Sequence, residues 1–181
     1  MNTLLNLDQQ LFLVINHLPH VYLLNLIGLF LSGIGMAGIV WFVLGAWLFF
    51  REEKRDHWFW APVVLAGIGS WLLADAILKP LVARVRPAIE MGAIIVGSQS
   101  KDAAFPSGHA TIAFAMAGVL SHKEPRWRWV FYLLAVAIAL SRIYLGKHYP
   151  LDVIGGAVVG WIIGKGALLA SSKLRAATKT S

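Results

Sequence analysis

The chain has 181 residues, of which 58% are hydrophobic and only 14% charged, with a mean hydropathy of +0.68. A water-soluble domain of this size could not cover so much apolar surface, so a single membrane domain is expected. The absence of cysteine rules out disulfides and thiolate metal centres, and the net charge of +7 is spread among apolar runs rather than gathered in the aromatic-interleaved stripe of a nucleic-acid binder.

In chain order, Leu4, Leu5, Leu7, Leu11, Phe12 and Ile15 recur at helical spacing until Pro19 interrupts them. Residues 21–32 are apolar but short for a crossing at ~1.5 Å per residue. Residues 1–35 are therefore expected to form amphipathic helices lying at the membrane interface, with a sixth, short span as the alternative. The opening MNTLLNLDQQ lacks the positive region of a signal peptide. After the turn-like SGIGM come apolar runs at about 36–50, 58–79, 107–121, 127–144 and 151–170. The expected fold is all-α, an integral membrane bundle of about five transmembrane helices over residues 36–170, followed by a basic polar tail, 171–181. Gly156, Gly160 and Gly164 share one face of the last helix, which suits close helix packing, a homodimer contact being the alternative. Oligomeric state is otherwise not written in the sequence.

Orientation follows from the loops. Arg51, Lys54 and Arg55, then Lys123, Arg126 and Arg128, then the basic residues from Lys165 onward fall on one side. The other side holds Lys79, Arg84, Arg86, Lys101, Arg142 and Lys147. The first group is the larger and is flanked by Trp58, Trp60, Trp127 and Trp129, so it is expected to be cytoplasmic.

Three polar stretches far apart in sequence then meet on the opposite face. KPLVARVRP supplies Lys79 and Arg86, two cations near the bilayer boundary. PSGHAT starts a helix with Pro106, Ser107 and Gly108, where free backbone N–H groups and the positive dipole end favour an anion. His109 lies beside any anion bound there and has the look of its proton donor. SRIYLGKHYPLD adds Arg142, His148 and Asp152, the last two one helical turn apart. A carboxylate beside an imidazole sets its tautomer and leaves the other ring nitrogen free to attack. Lysine and arginine forks match a tetrahedral phosphate, whose transfer depends on positioning and charge. Two histidines allow one nucleophile and one general acid. Asp75, one turn before Lys79, is expected to pair with it. Arg84 and Lys147 could assist a second phosphate or simply be solvated, and His17, His20, His57 and His122 fall outside the cluster. A catalytic zinc on His109, His148 and Asp152 is the competing reading, but three nearby cations would repel it; neither a metal nor any other cofactor is expected.

These residues resemble the three-part signature of the type-2 phosphatidic acid phosphatase superfamily. It reads Lys79, six residues, Arg86-Pro87; Pro106-Ser107-Gly108-His109; then Ser141-Arg142, five residues, His148, three residues, Asp152. The resemblance implies a metal-independent membrane phosphatase acting on a lipid phosphate. In it His148 becomes phosphorylated, Asp152 orients His148, and His109 protonates the leaving oxygen. Lys79, Arg86, Ser107, Gly108 and Arg142 would hold the phosphoryl oxygens. Undecaprenyl diphosphate is the leading substrate expected, with phosphatidylglycerol phosphate, phosphatidic acid and lipid A phosphates as alternatives. The expected setting is a bacterial inner membrane crossed several times, with the site facing the periplasm. A lipid-to-lipid phosphotransferase shares every residue, and a lipid-phosphate transporter or scramblase would use the cations for binding alone.

Overall fold

The computed structural model describes residues 3–51 and 56–180, so Lys54 and Arg55 of the charge count lie outside the described residues. It is helical throughout, with no strand among the described residues: α1 Thr3–Asn16, α2 Tyr22–Gly35, α3 Ile39–Arg51, α4 Trp60–Val82, α5 Gly108–Lys123, α6 Arg128–Tyr144 and α7 Pro150–Thr180.

By length and composition, α4, α6 with the turn before it, and α7 can each cross a membrane. Helices α2 and α3 qualify as a fourth crossing if taken together, bent by 65° where Gly38 adopts a φ of +74°. Their outer faces carry the exposed apolar side chains that lipid requires, among them Phe30, Val43, Ile68, Trp71, Leu133, Ile154 and Ile162.

The run expected to span at 107–121 lies at the centre of the bundle. It is α5, 16 residues long and enclosed by α3, α4, α6 and α7. Ala110, Ala113, Ala115 and Ala117 are buried along it, and these small side chains let the neighbouring helices approach closely. Around it Trp41, Phe59, Val63, Met116, Leu120, Phe131 and Ile138 form the core. The glycine face of α7 packs here. A Cβ built on Gly160 would lie 2.1 Å from the Thr111 carbonyl oxygen, and one on Gly156 2.6 Å from that of Ser107. Gly160→Ala is therefore expected to destabilise the protein by about 1–3 kcal/mol, because backbone rather than a flexible side chain must move. Gly166→Ala meets nothing within 4 Å and should hold or raise the melting temperature in detergent. Equal melting temperatures for the two variants would contradict this packing.

Helix α7 continues through the segment expected to be a polar tail, since residues 171–180 contain neither glycine nor proline to stop it. Helix α1 turns Asp8, Phe12 and Asn16 inward, one turn apart, and leaves Leu4, Leu5, Leu7 and Leu11 exposed. Asn16 ties it down: its amide donates to the carbonyls of Ile94 and Tyr144 at 2.8 and 2.9 Å and accepts from the Ile94 N–H at 2.7 Å.

Candidate active site

Three helix ends converge on a cavity of about 560 Å³. The first is the end of α4, where Pro80 cannot supply the N–H of a regular ladder and the preceding turns widen to a π-helix over Trp71–Leu78. The widened end carries Asp75 and Lys79 into the cavity, paired at 2.5 Å as their spacing predicts. The second is the start of α5. Ser107 occupies the N-cap position with extended backbone, yet its hydroxyl makes no capping bond and is buried without a partner. The usual N-cap role is therefore not what holds this serine. A Cβ on Gly108 would lie 3.2 Å from a carboxylate oxygen of Asp75, so glycine lets the α5 start and α4 meet. His109 lines the cavity and its Nε2 lies 3.2 Å from the Ser32 carbonyl, to which it donates. The third is the end of α6 with the turn into α7, which brings Arg142 and His148 to the same cavity.

The cations differ in how they are held. Arg86 donates through Nε to the Asp102 carbonyl at 2.9 Å, through Nη2 to its carboxylate at 2.8 Å and through Nη1 to the Lys147 carbonyl at 2.9 Å. The same Nη1 is 3.1 Å from Nε2 of His148, which accepts. Lys79 bridges Asp75 and Asp102. Arg142 donates to the Ser32 hydroxyl, has no carboxylate partner among the described residues, and keeps a buried Nε without any bond. Its charge is thus left for an incoming anion.

His148 is 2% exposed and Asp152 fully buried. Nδ1 of His148 stands 3.6 Å from Oδ2 of Asp152, an oxygen that also accepts the Tyr149 N–H at 2.8 Å. Burial and the neighbouring Arg86 and Arg142 charges push the imidazole down to about 4 against the pull of Asp152, so at neutral pH the ring is uncharged. A neutral ring accepting from Arg86 at Nε2 carries its proton on Nδ1, facing the carboxylate, with its Nε2 lone pair on the cationic side.

The eight expected catalytic and phosphate-binding residues thus lie at this end of the bundle, and Phe42, Val64, Gly67, Ile68, Trp71, Ile112 and Gly35 supply an apolar part of the cavity wall. Arg84 and Lys147 do not line the cavity. Lys147 donates to the carbonyls of Gly97 and Ser98 at 3.2 and 2.6 Å, and Arg84 pairs with Asp8 and Asp152. His17 and His20 bond backbone carbonyls of Gly92 and Asn16. Among the described residues no three histidine or acidic side chains are grouped as metal ligands. Asp102, Asp8 and Ser32 are the participants that sequence reasoning missed. Asp8 did carry a signal, being a lone carboxylate in an apolar helix; nothing in the spacing of Asp102 or Ser32 points to the site.

A multi-pass helical membrane protein with a cavity cationic at one wall and apolar at the other is built to handle a phosphate that carries a hydrocarbon tail. The PAP2 superfamily profile matches residues 60–176, and the chain belongs to that superfamily; it is a membrane phosphatase. It is 31% identical over 156 residues to an undecaprenyl-diphosphatase of Sulfolobus acidocaldarius, covering 84% of this chain and 73% of the relative. It is 29% identical over 163 residues to undecaprenyl-diphosphatase BcrC of Bacillus subtilis, covering 87% and 81%. The crystal structure of Aquifex aeolicus LpxE superposes with a TM-score of 0.73 at 35% identity, over 90% of this chain and 94% of that one.

Proposed function

We propose that the protein removes a phosphate from a membrane lipid diphosphate, undecaprenyl diphosphate first among them, through a phosphohistidine on His148. The observation that carries this reading is the His148 ring itself: neutral, backed by Asp152 and with Nε2 beside Arg86 on a cavity that Lys79 and Arg142 also line. The names of the two undecaprenyl-diphosphatase relatives support the choice of lipid.

In the first step Nε2 of His148 attacks phosphorus and the bond from phosphorus to the leaving oxygen breaks. His109 gives that oxygen a proton. In the second step water attacks the phosphohistidine, His109 takes its proton, the P–N bond breaks and inorganic phosphate leaves. Lys79, Arg86 and Arg142 offset the charge on the non-bridging oxygens, with the Gly108 N–H and the Ser107 hydroxyl at the start of α5 as further donors. The tail lies along Phe42, Val64, Ile68, Trp71 and Ile112. The charge distribution between loops supports a site facing the outside of the bacterial inner membrane. Helix α1 would lie along that interface, its exposed leucines turned to lipid.

Phosphate release by purified protein from undecaprenyl diphosphate in detergent with EDTA present tests this reading, beside phosphatidylglycerol phosphate, phosphatidic acid and lipid A. Release undiminished by EDTA and fastest from the undecaprenyl lipid is expected. Loss with EDTA would restore the metal reading, and release from none of the lipids would favour transport.

Asp102 bears on product binding. Its carboxylate holds Lys79 and Arg86, and although burial disfavours the charge, the Lys79 hydrogen bond, Ser100 and the charge of Arg86 keep it ionised well below the usual carboxylate range. Phosphate oxygens must compete with it for the same two cations. Asp102→Asn is expected to strengthen competitive inhibition by inorganic phosphate about tenfold, as the loss of one opposing charge-assisted contact implies. Weaker inhibition would mean that Asp102 positions the cations instead.

A further inference from the structure

Asp152 has a second oxygen, and its partner leads to the N-terminal helix. Oδ1 of Asp152 accepts from Nη1 of Arg84 at 2.6 Å. The other arm of the same guanidinium, Nη2, bonds Oδ2 of Asp8 on α1. Oδ1 of Asp8 accepts the Leu151 N–H at 2.8 Å, in the first turn of α7 one residue before Asp152. Both carboxylates are buried, at 1% and 0% side-chain exposure, and the guanidinium lies over the Tyr149 ring at 4.5 Å. A rigid fork between two buried carboxylates has one geometry, and it holds Oδ1 of Asp152 on the side of Arg84. Oδ2 is the oxygen that faces His148. Asp8 also lies outside residues 60–176, the part of the chain that matches the superfamily.

We propose that Arg84 and Asp8 are positioning residues for the reaction: Arg84, anchored by Asp8, clamps Asp152 so that the carboxylate presents Oδ2 to Nδ1 of His148, which makes α1 part of the catalytic centre. Neither residue is among those lining the cavity, and both arms of Arg84 are taken by carboxylates. This rests on His148 being the nucleophile.

The role predicts a separation of kinetic effects. Arg84→Gln frees Oδ1 and lowers kcat about 10- to 100-fold, with KM within about threefold because the cavity cations are intact. It also moves the acid limb of kcat/KM. The titratable groups facing His148 are Asp152 on α7, Arg86 from the segment after α4, Arg142 on α6 and His109 on α5. Arg84 opposes this set through its hold on Asp152. Its removal leaves the Asp152 charge unopposed, favours imidazolium, and shifts the acid limb upward. Asp8→Asn keeps an oxygen for the Leu151 N–H but turns its NH2 toward Nη2 of Arg84, so it removes the charge and the anchoring bond together. It leaves the Arg84 charge to Asp152 alone, so kcat falls while the acid limb moves down or stays. Arg84→Lys keeps the charge and should restore the limb to its wild-type position while recovering part of the rate.

The experiment is kcat, KM and pH profiles of these three variants in detergent, with thermal unfolding and His148→Ala alongside. Lower kcat at unchanged KM, with limb shifts in the stated directions and melting temperatures near wild type, is the expected result. Wild-type kcat in Arg84→Gln, or an acid limb unmoved by it, overturns the inference. A raised KM with unchanged kcat places Arg84 in substrate binding and also overturns it. Should Arg84→Gln not fold, Asp8→Asn and Arg84→Lys decide on the same criteria. Activity surviving in His148→Ala would instead sink the underlying reading of the site.

Discussion

His148→Ala lowers kcat for phosphate release roughly ten-thousand-fold or more, the size of loss seen when a covalent nucleophile is removed and only binding and charge stabilisation remain. The ring is buried at the meeting of α6 and α7, and Arg86 is the side chain in hydrogen-bond reach of its Nε2. Alanine removes the attacking atom but leaves Arg86 held by Asp102 and the Lys147 carbonyl, and Lys79 held by Asp75 and Asp102. Affinity for the lipid should therefore change only a few-fold. Rate and affinity measured separately check this, and a rate loss below about tenfold would mean that another group attacks phosphorus.

Asp152→Asn is the second large effect, a fall in kcat of about a hundred- to ten-thousand-fold, on the scale of losing the carboxylate that sets a histidine's tautomer. The carboxylate is acceptor-only, and it faces donors on every side: Arg84 at 2.6 Å, the Tyr149 N–H at 2.8 Å and Nδ1 of His148 at 3.6 Å. An amide of the same shape must turn its NH2 toward one of them. Turned toward His148, it forces the proton from Nδ1 to Nε2 and takes away the attacking lone pair. The loss of the one charge that raises the His148 pKa moves the acid limb of kcat/KM further below the usual imidazole value. A rate within a few-fold of wild type, at an unchanged melting temperature, would remove Asp152 from the mechanism.

How much of this can be read from the chain depends on the range of the interaction. Asp75 with Lys79 and His148 with Asp152 are one helical turn apart, and a helix dictates that such pairs meet. The convergence of Lys79, Arg86, His109 and Arg142 follows from helix lengths and alternating direction, which place their polar ends together. The glycine face of α7 is legible for the same reason. What spacing alone does not carry is a contact closed by a loop or a docking helix. Asp102 returns to Lys79 and Arg86 through the irregular segment before α5, and Asp8 reaches Arg84 across a separation of 76 residues. Hydropathy finds α5 but not its central position, because a helix lined with alanine scores as apolar whether lipid or protein surrounds it; only packing tells the two apart. At the start of α5, Ser107 looks like an ordinary cap in sequence, and only the coordinates reveal a hydroxyl without a bond.

The most direct test of the central claim is to trap the covalent intermediate. The protein is mixed with undecaprenyl diphosphate labelled in its terminal phosphate, quenched in alkali within one turnover, and examined for label on the chain. A phosphorylated chain stable to base and labile to acid, as a P–N bond requires, with the label mapped to His148 and absent from His148→Ala, is the predicted result. Rapid phosphate release with no labelled chain at any quench time, or label retained in His148→Ala, would contradict it.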